Sequence, residues 1–329
     1  MRSAIIGLGA ISGVHYQAIL RAGGEIVAAC DNDEARLEAF REKTDCPAAL
    51  YTDYKEMLER EHPDVVHICT PHYLHAEMTI AALRAGCNVL CEKPLCIREE
   101  DIEPILTAER ESGKQLAVCL QNRYNQSNLE VVRLLGGRPA GAGFGNVVWN
   151  RGAAYYASGA WRGKWATEGG GVMINQALHT LDLLIWFMGM PDSVIAEIET
   201  RRLAGVIEVE DTASALFRYA DGRMFNFYAS NASGADFPVQ VMVENAEGKK
   251  ITAMNDLLAV NGEIQPFAMD VDHGGKSVWG AGHASLVGDF YDCIQNERPF
   301  PINGQEGAKV VRAILAMYRS HGKETPLSH

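Results

Sequence analysis

The chain reads as two domains: a doubly wound parallel α/β sheet over residues 1–121, then an α+β domain over 122–329 built on a large, mainly antiparallel open sheet. Three observations predict this. Short apolar runs alternate with helical patterns through the first 120 residues, the signature of a parallel sheet covered on both faces. A glycine-rich turn joins the first strand to the first helix. Further on, period-two strands are punctuated by Asp221-Gly222, Glu247-Gly248 and Asn261-Gly262, dipeptides suited to tight hairpin turns.

The elements follow in order. Ala4-Ile5-Ile6 is a short apolar strand, Gly7-Leu8-Gly9-Ala10-Ile11-Ser12-Gly13 a turn, and Val14, Ile19 and Leu20 mark a helix. A second apolar run, Ile26 to Cys30, closes on Asp31. Gly7 and Gly9 allow a tight turn and close backbone approach to a pyrophosphate. With Ala10 and Ile11 they lead into a helix N-terminus, which supplies N–H groups and a positive dipole end. Asp31 stands 22 residues after Gly9, where a carboxylate binds ribose hydroxyls and repels a 2′-phosphate. Ser12 takes the third fingerprint position and is small enough for close helix–strand packing. Strands are expected at 3–6, 26–30, 65–70, 88–91 and 116–120, and helices at 14–22, 33–43, 53–60, 75–85 and 99–112. The second domain should hold a helix at 127–135, a glycine-rich turn at 136–145, a strand at 146–152 and a long helix at 171–188. Strands follow at 193–201, 211–219, 223–230, 238–245, 249–254, 257–260 and near 263–267, then helices at 284–296 and 305–320. The polar tail 321–329 is expected to fray.

Composition narrows the function. Of 329 residues, 47% are hydrophobic and 22% charged, as in a globular protein with a full core. Net charge is −12, and no basic tract offsets it, which disfavours nucleic acid as a partner. No apolar run approaches a membrane span, and the chain opens directly into a strand, so a cytoplasmic protein is expected. Eight cysteines lie mostly in apolar runs and form no C-x-x-C pair, so reduced core thiols and no metal site are expected. His67, His72 and His75 cluster in sequence, but strand alternation separates their directions.

Three clusters fall where such a fold places a cleft, the first two at the carboxyl ends of parallel strands. Thr70, Pro71 and His75 follow the third apolar run and belong beside a cofactor. Glu92-Lys93-Pro94 follows the fourth. Its lysine can donate to a substrate hydroxyl and handle its proton, and the proline restricts the turn. The third cluster is Glu168-Gly169-Gly170-Gly171 leading to Asn175, His179 and Asp182. On one helix Asn175 and His179 are i and i+4 and share a face, with Asp182 placed to orient His179.

With these clusters in order, the chain resembles the glucose–fructose oxidoreductase / inositol dehydrogenase (Gfo/Idh/MocA) family over nearly its whole length. The resemblance implies a Rossmann-type nucleotide domain with cofactor contacts from Gly7, Gly9, Ala10, Ile11, Asp31, Thr70, Pro71, His75, Glu92 and Lys93. It also implies an NAD(P)-dependent oxidation of a secondary hydroxyl, or the reverse, with Lys93 at the reacting hydroxyl. The antiparallel sheet is then an interface in a homodimer or homotetramer. Gln121-Asn122-Arg123 falls at the family's Asn-Arg, and His283, Asp289-Phe290-Tyr291 and Glu306-Gly307 match its C-terminal pattern. One departure is Asn175, where many polyol-oxidising members carry aspartate.

The resulting expectation is an NAD-dependent dehydrogenase for a sugar, nucleotide sugar or cyclitol. Lys93 and His179 handle the proton, and the cofactor performs the redox step. Asn175, Arg123, Tyr156, Trp161, Arg162 and His283 are candidates for substrate binding. Two rivals share the fold: a non-catalytic sugar or nucleotide sensor, and a redox-neutral glycosidase that uses NAD transiently.

Overall fold

The computed structural model describes residues 1–44, 46–254, 257–266 and 282–328. In chain order it contains β1 (Arg2–Ile6), α1 (Ser12–Arg21), β2 (Glu25–Cys30), α2 (Glu34–Lys43), β3 (Ala49–Tyr51), α3 (Tyr54–Glu61), β4 (Val65–Ile68), α4 (His75–Arg84), β5 (Asn88–Cys91), α5 (Ile102–Ser112) and β6 (Leu116–Val118). Next come α6 (Gln126–Leu135), β7 (Ala142–Val148), α7 (Ala153–Ala157), α8 (Val172–Asn175), α9 (Leu178–Met188), β8 (Ser193–Glu199), β9 (Thr212–Arg218) and β10 (Met224–Ser230). The chain finishes with β11 (Gln240–Glu244), β12 (Lys250–Met254), β13 (Leu257–Val260), β14 (Glu263–Gln265), α10 (Gly282–Gln295), α11 (Gly304–Ser320) and β15 (Thr325–Pro326). Two compact units emerge, residues 1–121 with the described part of 272–308, and residues 122–271 with 309–329. None of the described helices is long and apolar enough to cross a membrane.

The first unit is a six-stranded sheet in the order β3-β2-β1-β4-β5-β6, and every pairing is parallel. β4 and β5 are buried at all four positions, as strands covered on both faces must be. Local chemistry sets the helix ends. Asp33 caps α2 by accepting from Ala35 N, and Asp53 caps α3 by accepting from Lys55 N, each satisfying a donor with no partner inside the helix. Strand β3 was not expected. It is a three-residue, half-buried edge strand, too short to show a run or an alternation.

The second unit carries a nine-stranded sheet, β14-β13-β12-β11-β7-β10-β9-β8-β15. All pairings are antiparallel except β7 with β10. The three predicted hairpins form between β9 and β10, β11 and β12, and β13 and β14. Asn261 and Gly262 both have positive φ, 52° and 86°, as a tight hairpin turn requires. The expected strand end at 267 lies outside the described residues.

Three expectations are corrected. Strand β7 begins inside the expected glycine turn. A Cβ on Gly143 would lie 2.7 Å from Met188 Sδ, and one on Gly145 2.9 Å from a Leu184 methyl. Glycine at both positions therefore lets α9 lie directly on the strand. The tail does not fray through Leu327: Thr325 pairs with Val194 of β8, Leu327 N donates to Asp192 O at 2.9 Å, and Leu327 is 5% exposed. The long helix at 171–188 is broken into α8 and α9. At the break the N–H of Ala177 reaches Val172 O at 2.8 Å, five residues back rather than four.

Gly7 and Gly9 should respond differently to added bulk. Gly7 has φ +90°, and a Cβ there would lie 2.8 Å from the backbone of Cys69 and Thr70. Around Gly9 a Cβ meets nothing within 4 Å. Thermal denaturation should show Gly7→Ala destabilised by about 2 kcal/mol or more, from strain that backbone cannot relieve, with Gly9→Ala melting close to wild type.

Candidate active site

In the first unit the end of β1 and the end of β2 are tied to one turn. Gly7 N donates to Cys30 O at 2.8 Å. Leu8 N donates to Asp31 Oδ2 at 2.8 Å, and Asp33 N to Oδ1 at 3.0 Å. Arg36 Nη1 is 3.4 Å from Oδ2. A carboxylate accepts about four hydrogen bonds, so the nearly buried Asp31 retains capacity for a ligand hydroxyl. Ser12 Oγ donates to Gly9 O at 2.7 Å, closing the turn onto α1. That helix starts at Ile11 with no side-chain cap and no acidic residue in its first turn. Its N-terminus, with open space over Gly9, fits a diphosphate. The residues present therefore fit a dinucleotide, phosphates at Gly9-Ala10-Ile11 and ribose at Asp31.

The next two strands end on loops that a histidine ties together. His75 is fully buried. Its Nδ1 lies 2.6 Å from Pro94 O and its Nε2 2.9 Å from Thr70 O. Each carbonyl calls for an N–H donor, so the neutral ring satisfies one and the imidazolium both. Burial pushes its pKa down, against those two hydrogen bonds. His75 thus fixes the Thr70-Pro71 loop against the turn carrying Glu92-Lys93-Pro94. The Lys93–Pro94 peptide is cis. From Cys87 to Ile97 every residue is buried except Lys93.

Glu92 lies beneath that lysine. Its Oε1 is 2.8 Å from His15 Nε2 and 3.8 Å from His283 Nε2, and its Oε2 accepts from Lys93 N at 3.3 Å. Burial alone would raise the carboxyl. The hydrogen bond from His15 and the charges of His15, His283 and Lys93 instead hold it well below the usual carboxylate range. Burial takes the His283 ring down to about 4. Sequence reasoning missed His15 and gave His67 and Tyr291 no place at the site, yet the three hydrogen-bond in series behind Glu92. A histidine on the first-turn side of α1 was the available signal. His15, Glu92 and Cys119 also bring three ligand-type atoms within 4.8 Å of one another. Two ligands of one tetrahedral zinc sit about 3.3 Å apart, so the 2.8 Å His15–Glu92 contact is a shared proton rather than a prepared metal site.

In the second unit, α7 places two tyrosines with different tasks. Tyr156 is 5% exposed, and its hydroxyl accepts from Asn231 Nδ2 at 2.9 Å. Tyr155, which the sequence reading passed over, gathers the polar groups. Its hydroxyl accepts from Arg162 Nη1 at 2.6 Å, Gln176 Nε2 at 2.8 Å and Asn175 Nδ2 at 3.4 Å. The Arg162 guanidinium lies 4.5 Å from both the Tyr155 and the Trp161 ring centroids. Trp161 and Arg162 thus stack on each other.

The break between α8 and α9 means that Asn175 and His179 do not share the face of one continuous helix. They remain the only two residues from Gly171 to Ile185 that are not buried. Asn175 Nδ2 donates to Glu168 Oε1 at 2.5 Å, and Gly163 N donates to Glu168 Oε2 at 2.5 Å. A fully buried carboxylate therefore stands directly behind Asn175, seven residues upstream and just ahead of the glycines. Asp182 accepts from Arg123 at 2.9 and 2.7 Å in a buried two-bond ion pair, with Trp186 over the guanidinium at 5.4 Å. Arg123 is thereby anchored to α9, with Asp182 as its partner. Glu210 locks the glycine turn by accepting from Gly171 N at 2.9 Å, Met173 N at 3.0 Å and Tyr318 Oη at 3.0 Å. Burial raises its pKa to about 7 against those bonds. A Cβ on Gly171 would fall 1.8 Å from Glu210 O, so no other residue fits. A separate open depression of about 330 Å³ is lined by Val148, Arg201, Arg202, Tyr228, Ser230, Ala232 and Ser233, none of them a predicted site residue.

Residues 1–120 match the family model described as oxidoreductase family, NAD-binding Rossmann fold, and residues 144–249 match the GFO/IDH/MocA C-terminal domain. The chain is 31% identical to the D-glucoside 3-dehydrogenase of Escherichia coli strain K12, covering 97% of this chain and 95% of that protein. It is 28% identical to the D-apiose dehydrogenase of Paraburkholderia graminis over 97% of this chain and 87% of that one. Among solved structures, the WlbA dehydrogenase from Bordetella pertussis in complex with NADH and UDP-GlcNAcA superposes with a TM-score of 0.87 at 29% identity. That match covers 100% of this chain and 98% of that one.

Asn175→Asp is informative because it would set a second carboxylate against Glu168. Two carboxylates at hydrogen-bond distance cannot both ionise easily, so one titrates well above its unfolded value. A raised carboxyl pKa leaves stability intact at low pH and removes it as pH rises through that value. Urea denaturation should show the variant near wild type at about pH 4 and weaker by about 1–3 kcal/mol at about pH 8.

Proposed function

The chain belongs to the GFO/IDH/MocA oxidoreductase family, and on that premise we propose that it is an NAD-dependent dehydrogenase oxidising a secondary hydroxyl of a sugar, nucleotide sugar or cyclitol, or reducing the ketone. Residues 1–121 hold the cofactor, and residues 122–329 bind substrate and form the oligomer contact. The observation that carries the reading is Lys93, the one residue of an eleven-residue buried run that reaches the surface, seated over a buried carboxylate. A sensor that only binds has no need of a lysine so placed. Net reduction of cofactor separates a dehydrogenase from a redox-neutral glycosidase.

NAD, when bound, supplies the hydride acceptor. Gly9, Ala10 and Ile11 take its phosphates and Asp31 its ribose, with Thr70 and Pro71 alongside and His75 holding their loop. Lys93 meets the reacting hydroxyl and takes its proton as the C–H bond breaks. Glu92 stays anionic and orients the lysine backbone. Asn175, backed by Glu168, holds a neighbouring hydroxyl, and His179 is the partner or alternative base. Tyr155, Trp161 and Arg162 form an aromatic and cationic wall suited to a sugar ring. Arg123, Tyr156 and His283 act behind the surface groups.

Lys93→Met should leave NADH affinity within a factor of about three while cutting turnover by about a hundredfold or more. NADH fluorescence titration and steady-state assays on a polyol panel read the two. A loss of under about tenfold would make Lys93 a bystander.

The sheet of the second unit supports assembly into a dimer or tetramer. One face is buried, and the other shows half-exposed Phe144, Val148, Leu216, Tyr228, Met242 and Met254 on alternate positions. An apolar row of this extent on a sheet face marks a contact surface. Light scattering should give a multiple of the chain mass, and Met242→Lys should shift it toward the monomer. A monomeric wild type would sink this part of the reading.

A further inference from the structure

Four hydrogen bonds run in series through the first unit. Ser3 Oγ lies 2.7 Å from Tyr291 Oη, and Tyr291 Oη 2.9 Å from His67 Nε2. His67 Nδ1 lies 2.9 Å from His15 Nδ1, and His15 Nε2 2.8 Å from Glu92 Oε1. Ser3, Tyr291, His67 and His15 are each 0 or 1% exposed, so no water stands in for a missing partner.

Donor and acceptor accounting leaves two arrangements. An ionised Glu92 only accepts, so His15 Nε2 carries a proton in both. If His15 is neutral, its bare Nδ1 must accept from His67 Nδ1–H. The bare Nε2 of His67 then accepts from Tyr291 O–H, and Tyr291 accepts from Ser3 O–H. If His15 gains one proton, the bond to Glu92 keeps its direction and the other three reverse. His15 Nδ1–H donates to His67 Nδ1, the His67 proton sits on Nε2 and donates to Tyr291, and Tyr291 donates to Ser3. Both arrangements satisfy all four bonds, and they differ by one proton taken from solvent. Only N–H and O–H bonds change.

We propose that Ser3, Tyr291 and His67 are positioning residues that form a two-state hydrogen-bond chain, setting whether His15 is neutral or cationic against Glu92 and so tuning the charge beneath Lys93. The chain's role in activity rests on the dehydrogenase reading above; its two-state behaviour does not. With His15 neutral, the Glu92 anion favours a protonated Lys93. With His15 cationic, that anion is offset and Lys93 gives up its proton more readily.

The other groups facing the pair leave this choice to His15. From α10, His283 is held near 4 by burial. Cys119 just after β6 and Cys69 after β4 are held neutral, chiefly by burial, with the Cys119 thiol donating to Glu92. Cys91 on β5 is raised by burial as well. Lys93 is the remaining charged neighbour of Glu92. His67 stays neutral throughout, its pKa pushed well down by burial and then by His15, as both arrangements require.

The test is nitrogen NMR of the full-length protein with labelled histidine, without cofactor or substrate, the rings assigned by single His→Gln variants. One pH midpoint should be seen at which His15 gains a proton and His67 moves from the Nδ1–H to the Nε2–H form together. Ser3→Ala leaves Tyr291 with no acceptor in the cationic arrangement and costs the neutral one less. The midpoint should therefore fall by about one pH unit or more. Tyr291→Phe removes the acceptor of His67 Nε2–H and should shift it the same way, which covers a Ser3 variant that folds poorly. The pH limb of kcat/KM should move with the NMR midpoint. If His67 keeps one tautomer while His15 titrates, or neither ring changes between about pH 5 and 9, the two-state chain is wrong. If the rings switch together but the limb stays put, the role at Lys93 is wrong and the chain stands. If no hydroxyl substrate is turned over, the dehydrogenase reading fails on its own, with the ring measurements unaffected.

Discussion

A carboxylate removed from water must find donors within the protein, and Glu92 arranges much of the first unit around that demand. Leaving such a group without partners costs far more than any one hydrogen bond returns. The donors come from elements distant in sequence: His15 from α1, the thiol of Cys119 just after β6 and the backbone of Lys93, with His283 of α10 at 3.8 Å. Each of these elements is therefore held in register by one anion at the end of β5. The turn that follows has little freedom, because His75 pins Pro94 O to Thr70 O across the neighbouring loop. Lys93 reaches the surface from a base that is fixed on both sides.

The second unit meets a related demand at Asn175, which by itself brings no charge. The structure supplies the carboxylate one step back, at Glu168, hydrogen-bonded through the amide. The charge is thus buried and the surface group neutral, with the amide nitrogen turned inward to Glu168 and Tyr155 and its direction fixed by those bonds. This arrangement needs the backbone to turn sharply between the two residues. Gly170 and Gly171 permit it: a Cβ at either would lie within 2 Å of Tyr318 Oη or Glu210 O. The same Glu210 and Tyr318 groups then bond across the turn.

What was legible in the sequence was whatever is local. Gly7, Gly9 and Asp31 announce the nucleotide turn because strand, turn, helix and acid follow one another within one βαβ unit. Glu92-Lys93-Pro94 was legible for the same reason, and so were the hairpins, whose turn residues encode their own dihedral angles. The His15–His67–Tyr291 series was not, because its partners are 52 and 224 residues apart and a buried histidine has no periodic signature. The broken helix at Gln176–Ala177 escaped too: Leu178 to Met188 is buried nearly all round, so no single apolar face distinguishes a continuous helix from two pieces. The glycines of β7 looked like a turn because their function, making room for α9, belongs to a neighbour rather than to the strand.

The distinction between local and distant signals also separates the two roles that side chains play here. Groups that reach the surface, Lys93, Asn175 and His179, stand alone in otherwise buried runs, and a sequence reader finds them as polar interruptions in apolar text. Groups that decide their charge and direction, Glu92, His15 and Glu168, lie one layer further in and are defined by pairing. Asn175 shows the division, a neutral amide that reaches the surface with the Glu168 carboxylate buried behind it. Tyr155 joins the two layers, because its hydroxyl accepts from Arg162 and from Asn175, and Asn175 in turn donates to the buried Glu168; a change in the outer wall is therefore felt by the inner carboxylate.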